Sequence, residues 1–413
     1  MNLGEGYRWN MPTVTYGFDP AFVEYFGSNG VYAIEQAMRI LNDLPSASQV
    51  DLNRYPLSTT RENYRASALL LVDLKSTALS LMLGYMGLEV PELYVWTVRY
   101  EYHVPNSNPV IPVYYVIHRN FDPFTFEPTS YINGTLYTYY LVHGDNPHVA
   151  RAIGRSVDPS LPAAYSVAGF SYLPGQYFTG LTRDDMGGLR YLYRRQNIVV
   201  ETLPTTITNS GLPFFSGGSG GSPWVPITVT NNVATNAAGG GTNTATFVDA
   251  ALRVGVEKVT FVRVNYDMML GTFIGSSNVF IDTFYVNGSP QQQSLIRQIT
   301  APDILFTAGD NGIAGDRPVF LWSTGPTGAW TNNAALNGAT IGSVERNGPG
   351  NIVPTMFVSF SKLGRYLRNS NPTSEAASTP YWFWGSFDGS TNEPIVYPNG
   401  TSLRSLEQQI FGY

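Results

Sequence analysis

A change of composition near residue 200 is the feature that most constrains how this 413-residue chain can fold. Residues 201–245 contain TNSGLPFFSGGSGGSPW and TNNVATNAAGGGTNTAT, low-complexity Gly, Ser, Thr and Asn stretches that are typical of linkers. Helix-like and strand-like patterns mix before this stretch, whereas strand-like runs broken by Asn-Gly and Asp-Gly turns follow it. The sequence therefore predicts an α+β domain at residues 1–200, an extended linker at 201–245, and a β-rich, β-sandwich-like domain at 246–413.

Apolar periodicity predicts three helices and several strands in the first part. The helical spacing of Val31, Ile34, Met38 and Leu41 predicts a helix in GSNGVYAIEQAMRILNDLP, and a second, longer helix is predicted from Asn63 to Leu88. A third is predicted in GLTRDDMGGLRYLYRRQ. Alternation in PTVTYGFD predicts an early strand, and ELYVWTVRYEYHV and NPVIPVYYVIHRNFD predict two aromatic strands around the turn PNSNP.

Charge and cysteine content narrow the classes of function. Charged residues make up 13% of the chain, about half of typical globular usage, and the net charge is −6 without any Lys/Arg cluster. A nucleic-acid partner is therefore not expected. The absence of cysteine excludes disulfides, thiolate catalysis and cysteine-based metal sites.

The uncharged run Ser76–Leu88 has 13 residues, which is fewer than the roughly 18–20 that a membrane span needs. We expect no transmembrane segment, and no signal-peptide pattern opens the sequence as given. Low charge, many Thr, Asn, Gly and Tyr residues and no Cys together resemble secreted bacterial surface proteins, so the expected location is extracellular or at the cell surface.

Three separated pieces of sequence, taken in order, indicate a family. They are YRWNMPTVTYGFDPAF, then STALSLMLGYMGL, and then LTRDDMGGLRYLYR, which opens in Leu-Thr-x-x-Asp and closes on a Leu-Tyr pair. Together they resemble the matrixin-like (zincin) zinc metalloproteases over roughly residues 7–195, with a longer insertion than usual between the second and third pieces. The resemblance implies a twisted sheet with a substrate-edge strand and two or three long helices.

The residues that carry zinc chemistry in that family are missing here. A zincin helix needs two His at i and i+4 to bind zinc, and a Glu between them to activate the metal-bound water. In this sequence the first His position is Ser80, the Glu position is Leu81 and the second His position is Gly84. None of these side chains can perform the role, so we expect a degenerate, non-zinc-binding helix and a protein that is not an enzyme.

Other candidate ligands are isolated. A loop zinc site from His143, Asp145 and His148 is conceivable, but a polar surface loop is the favoured interpretation of these residues. Asp310 and Asp316 in GDNGIAGD, and Asp388 in FDGSTNEP, place oxygen ligands close together and are candidates for Ca²⁺, although neither stretch matches a full calcium-loop signature and simple turns account for both. No other cofactor is expected.

Clustered aromatic residues raise the possibility of a glycan partner. Trp382 and Trp384 in YWFWGSF, together with the tyrosines of YTYYLVH and PVYYV, are candidates for stacking on sugar rings, although aromatic strands also serve packing and protein interfaces.

The favoured interpretation is a non-catalytic, secreted structural protein that self-assembles into an extracellular filament, sheath or surface layer. Low surface charge weakens repulsion between copies, and residues 202–245 or the C-terminal SLRSLEQQIFGY are candidate extended segments that bridge subunits. The alternative is a pseudo-protease binding module that recognises a peptide or a glycan. A third reading is a hydrolase with an unusual site.

Overall fold

The computed structural model describes residues 1, 7–105, 111–143, 150–160, 166–169, 174–204, 206–209, 248–309, 321–322, 330–332, 350–352, 355–362 and 383–411. The helices within these ranges are α1 (Pro20–Asn42), α2 (Tyr64–Ala68), α3 (Leu74–Tyr85), α4 (Pro91–Tyr94), α5 (Arg183–Tyr193) and α6 (Leu403–Phe411). Two short 3₁₀ helices lie at Ala47–Gln49 and Leu52–Arg54. None of these helices is both long enough and apolar enough to cross a membrane.

Strands are more numerous than helices, and most are short. In chain order they are β1 (Thr13–Phe18), β2 (Thr60–Glu62), β3 (Leu71–Asp73), β4 (Thr97–His103), β5 (Pro112–Ile117), β6 (Tyr131–Ile132), β7 (Thr135–His143), β8 (Ala150–Ser156), β9 (Gln176–Phe178), β10 (Val199–Thr202), β11 (Ile207–Asn209), β12 (Ala250–Arg253), β13 (Thr260–Arg263), β14 (Tyr266–Asp267), β15 (Thr272–Phe273), β16 (Ser276–Val286), β17 (Ser289–Ile299), β18 (Ile304–Gly309), β19 (Leu321–Trp322), β20 (Trp330–Asn332), β21 (Gly350–Ile352), β22 (Met356–Ser361), β23 (Phe383–Ser386) and β24 (Ile395–Val396). The protein is thus a mixed α/β, β-rich chain.

The central sheet joins the two ends of the sequence. Its order is β13-β1-β18-β22-β19, in which β1 runs parallel to β13 and β18, β18 runs parallel to β22, and β19 is antiparallel to β22. Tyr16 pairs with Arg263 on one side and with Ile304 on the other. Only β1 comes from residues 1–200, so the predicted division into domains at 1–200 and 246–413 is not confirmed.

A second five-stranded sheet is antiparallel and has the order β10-β12-β16-β17-β11. Its longest hairpin, β16–β17, turns at Asn287 and Gly288, whose φ angles are +47° and +77°. This confirms the predicted Asn-Gly turn, because both residues tolerate positive φ. Part of β10 and all of β11 fall inside the predicted linker, so that prediction is wrong at residues 201–202 and 207–209. Residue 205 and residues 210–245 of the predicted linker lie outside the described residues.

The predicted helix from Asn63 to Leu88 is wrong as a single element. The chain instead forms α2, leaves the helical region at Leu70 (φ +55°), continues as β3 and starts again as α3. The run ALLLV, residues 68–72, is short and continuously apolar, and such a run suits a buried strand as well as a helix. Pairing of β3 with β23 decides in favour of the strand.

Other predictions from the first part are confirmed. The early strand is β1, the two aromatic strands are the antiparallel pair β4–β5, and the third helix is α5, which begins with a Thr182–Asp185 capping box. The first helix starts earlier than predicted, at Pro20 behind the cap residue Asp19, and is kinked at Gly27. At the C-terminal end, Leu403–Phe411 is a helix rather than the expected extended segment.

The main core lies between the central sheet and helices α1, α3 and α5. Its centre is a group of aromatic rings in mutual contact, namely Phe18, Phe22, Phe26, Phe306 and Phe360. Two buried systems of ion pairs link these elements. The first joins Arg8 to Glu201 and Arg253 to Asp282. The second joins Arg297 to Asp303, whose carboxylate also accepts hydrogen bonds from Thr15 of β1.

Candidate functional site

The metalloprotease-like helix is α3, and it is a core element. Ser80 is 4% exposed and Leu81 is 3% exposed, while Gly84 is half-buried. Leu81 belongs to the main hydrophobic cluster along with Leu79 and Met82. The residues at these three positions therefore contribute to packing. Serine, leucine and glycine supply neither a good zinc ligand nor a carboxylate or imidazole that could accept a proton.

Polar groups at the start of α3 cap the helix. The Asp73 carboxylate accepts from the Ser76 N–H (2.9 Å) and the Ser76 hydroxyl, and the Ser76 Oγ in turn accepts from the Phe178 N–H (2.7 Å). Burial raises the pKa of the Asp73 carboxyl. This chain of bonds ties the first turn of α3 to β9.

The exit of α3 brings together the three sequence pieces that carry the matrixin resemblance. Gly87 has φ +100°, and a Cβ atom built on it would lie 1.8 Å from the Tyr7 carbonyl oxygen. The Tyr193 hydroxyl donates to the Met86 carbonyl at 2.9 Å and accepts from the Trp9 N–H at 3.3 Å. Only glycine fits this close approach with positive φ. The pieces thus meet in space, while membership of the matrixin family remains a prediction.

The candidate sugar-stacking residue Trp384 is in the core. It is 3% exposed, and its ring contacts Phe360 at 5.4 Å and Phe26 at 6.4 Å between centroids. Because protein rings surround it, the expectation of a ligand-stacking face at Trp384 is not met. Trp382 lies outside the described residues.

The candidate calcium residue Asp388 forms a turn. It is exposed, and its Oδ1 accepts from the Ser390 N–H at 2.9 Å and from the Ser390 hydroxyl, which lowers the pKa of its carboxyl. Glu393 of the same loop pairs with Arg65 at 3.1 Å. Asp310, Asp316, Asp145 and His148 lie outside the described residues, as does the side chain of His143. Among described side chains, no group of three or more His, Cys, Asp or Glu could hold a metal ion.

The exposed surface with the clearest functional character is one side of β7. Leu136, Thr138, Tyr140 and Val142 lie on one side of this strand, and we call them the β7 face. On the other side Tyr137 is buried, whereas Tyr139 is 38% exposed. Leu136 is 38% exposed, Tyr140 50% and Val142 42%. All four side chains are uncharged. On the neighbouring strand β8, Ile153 pairs with Tyr140 and the exposed Arg155 pairs with Thr138. An apolar centre with an arginine at its margin is typical of a protein interface.

A buried carboxyl that the sequence did not reveal lies beside α5. Glu92 of α4 is 8% exposed, and neither carboxyl oxygen has a hydrogen bond to another described residue. The Ser166 hydroxyl beside it is likewise without a partner in the described part of the chain. The pKa of Glu92 is raised to about 8, chiefly by burial and also by the carboxylates of Asp184 and Asp185, whereas the Met1 amino group acts in the opposite direction.

No family model matches this sequence, and neither a curated protein nor a solved structure matches it.

Proposed function

We propose that this chain is a non-catalytic, secreted structural protein that self-assembles into an extracellular filament, sheath or surface layer. The observation that carries the proposal is the β7 face, where large apolar side chains meet solvent on a strand without a single acidic or basic residue other than the terminal His143. Contiguous exposed apolar surface on a soluble protein marks an interaction site.

The energetics favour a contact between copies. Fully burying an exposed side chain of the size of Val or Leu contributes about 1.5–3 kcal/mol. Leu136, Tyr140 and Val142 are 38–50% exposed, so each offers part of that amount. A charged content of 13% leaves few like charges to oppose the approach of an identical chain. The core position of Ser80 and Leu81 supports a scaffold role for the protease-like helix in such a subunit.

Placing a charge at the centre of the β7 face is expected to block assembly. Wild-type protein should form species larger than the 45.4 kDa monomer as its concentration rises, and Tyr140→Lys should shift the onset of polymer to at least about tenfold higher concentration, because a buried unpaired ammonium is costly. Sedimentation velocity and electron microscopy of the same samples measure this.

Tyr64→Lys is the matched control, since Tyr64 is 79% exposed on α2 and is not part of the β7 face. It should polymerise like the wild type. A wild type that remains monomeric at all concentrations, with and without divalent ions, would sink the proposal of self-assembly. If the Tyr140→Lys and Tyr64→Lys variants polymerise equally, the β7 face is not the contact through which copies assemble.

A glycan-binding module is the second candidate function, and a different observation favours it. The Trp96 ring lies tilted against His118 (3.9 Å between centroids) and against Tyr139 (4.9 Å), and its indole N–H donates to the Tyr137 carbonyl at 3.1 Å. Pre-positioned aromatic faces are suited to sugar rings.

On a glycan array, Tyr139→Ala should lose most of any wild-type signal, because Tyr139 is 38% exposed and its ring contacts that of Trp96. Tyr115→Ala, which removes a tyrosine that is 52% exposed on β5, should retain the signal. Absence of any wild-type signal, or equal loss in both variants, counts against a glycan site at Trp96.

A further inference from the structure

The hairpin β14–β15 carries an unusual turn. Surface turns mostly consist of Gly, Pro, Asn, Asp and Ser, yet this one presents Met268, Met269 and Leu270, which are 79%, 97% and 75% exposed. We call these three residues the methionine tip. Three consecutive large apolar side chains in water indicate a surface that is covered by a partner.

The methionine tip is held in a defined shape. The Asp267 Oδ1 accepts from the N–H groups of Met269 (2.8 Å) and Leu270 (3.0 Å), and the Gly271 N–H donates to the Asp267 carbonyl at 2.8 Å. Gly271 closes the turn with φ +67°. Because the backbone is fixed by these bonds, a partner meets the apolar side chains without first having to order the loop.

A pocket of about 630 Å³ adjoins the tip. Its apolar walls come from Phe18, Pro20, Val23, Val264, Tyr266 and Met268. Glu24 and Arg263 add one charge of each sign to the lining. A pocket with these features accepts apolar side chains, and methionine, being unbranched and flexible, fills irregular gaps well.

The tip and the pocket lie on the same side of the molecule, because Met268 belongs to both. Two surfaces of one chain that complement each other and share a side can both be covered by a second copy related by a two-fold axis, because such a contact uses the same patch on both copies. The lining also carries Glu24 and Arg263, and Arg263 pairs with Glu35 of its own chain at 2.6 Å. Under such an axis Glu24 of one copy can approach Arg263 of the other as a second carboxylate. A head-to-tail contact requires the two surfaces on different sides.

We propose that two copies of this chain form a closed dimer in which the Met269 and Leu270 side chains of each copy enter the Phe18–Val23–Tyr266 pocket of the other. The inference rests on the proposed self-assembly and makes it more specific. A two-fold contact closes on itself and cannot propagate, so the dimer is the building block and the β7 face supplies the contact that extends the polymer.

Cross-linking tests the exchange directly, since the natural chain contains no cysteine. Single-cysteine variants Met269→Cys and Val23→Cys, each also carrying Tyr140→Lys to suppress polymers, are mixed and treated with a short bifunctional maleimide. Val23 is 43% exposed on α1, so both positions tolerate substitution. The mixture should give a covalent dimer of one copy of each variant, and neither variant alone should give comparable yield. A Tyr64→Cys partner, exposed elsewhere, should give none.

Sedimentation velocity provides the second measurement. In the Tyr140→Lys background, Met269→Asp should raise the dimer dissociation constant at least about 100-fold, because two apolar contacts are lost in each dimer. Tyr64→Asp should leave that constant unchanged. The proposal is overturned if Met269→Asp dimerises normally, if the mixed cysteine variants fail to cross-link, or if the protein is monomeric and a small apolar dye occupies the pocket.

The two proposals fail separately. If cross-linked dimers form but the wild type never polymerises, the dimer proposal stands and the proposal of a filament, sheath or surface layer is wrong. If polymers form but the mixed cysteine variants do not cross-link, the self-assembly proposal stands and the proposed exchange of methionine tips is wrong.

Discussion

Replacing Arg253 by methionine is expected to lower the free energy of unfolding by about 3–5 kcal/mol. The guanidinium is 1% exposed and binds the Asp282 carboxylate through Nε (3.1 Å) and Nη2 (3.1 Å). Its remaining N–H groups donate to the carbonyl oxygens of Glu201 (2.5 Å), Asp249 (2.7 Å) and Val248 (2.9 Å). Methionine fills part of the space but leaves Asp282 as a buried charge without its counter-ion, which is the costly outcome.

Urea denaturation of the wild type and of Arg253→Met measures the difference. Arg54→Met is the control, since Arg54 pairs with Asp51 at 3.8 Å with side chains 84% and 53% exposed, and such pairs contribute about 0–1 kcal/mol. The double variant Arg253→Met with Asp282→Leu should recover part of the loss, because no unpaired charge remains. Similar losses for Arg253→Met and Arg54→Met would show that the buried pair does not hold the second sheet in place.

Stability should fall between about pH 4.5 and pH 8 because of Glu92. Burial raises its pKa from 4.5 to about 8, so in this range the folded chain keeps a proton that the unfolded chain has lost. The stabilisation is complete below the unfolded pKa and is lost as pH rises through the folded value. A shift of this size corresponds to roughly 5 kcal/mol. Glu92→Gln is neutral at every pH and should not show the fall.

Unfolding free energies of wild type and Glu92→Gln measured across this pH range isolate the effect, because all other groups titrate in both proteins. The variant should match the wild type near pH 4 and exceed it progressively toward pH 8. Glu62→Gln, at an exposed site on β2, should follow the wild type throughout. If the Glu92→Gln and wild-type curves stay parallel, the Glu92 carboxyl is ionised in the folded protein and finds a partner there.

Local patterns predicted the elements that depend on neighbouring residues. The strand Thr13–Phe18, the helix Arg183–Tyr193 and the Asn287–Gly288 turn all follow from short-range sequence patterns. The partners of β1 could not be predicted, because periodicity identifies a strand without identifying its neighbours. The same limit explains β3, where an apolar run became a strand only because β23 pairs with it.

The candidate sites divide in a similar way. The lack of zinc-ligating side chains at Ser80, Leu81 and Gly84 can be read from the residue types alone. The methionine tip also has a signal, since Met268–Leu270 lie between a turn-forming Asp and a Gly. The burial of Glu92 has no signal in the sequence, because it depends on distant segments. Gly154, for example, approaches the Glu92 backbone so closely that a Cβ atom at Gly154 would lie 2.4 Å from the Glu92 carbonyl oxygen. Only three-dimensional packing isolates that carboxyl.

The central sheet combines strands that lie far apart in the sequence, and this separation determines how late in synthesis the sheet can form. Strand β1 is finished at Phe18, but its neighbour β13 begins at Thr260, about 240 residues later. At roughly 5–20 residues per second, synthesis takes roughly 12–50 seconds to cover that distance. Throughout this interval β1 has neither neighbour, and strand pairing over such a separation is intrinsically slow. A nascent chain of this protein therefore spends most of its synthesis with an incomplete core, and protection of its unpaired strands during that time is part of making it.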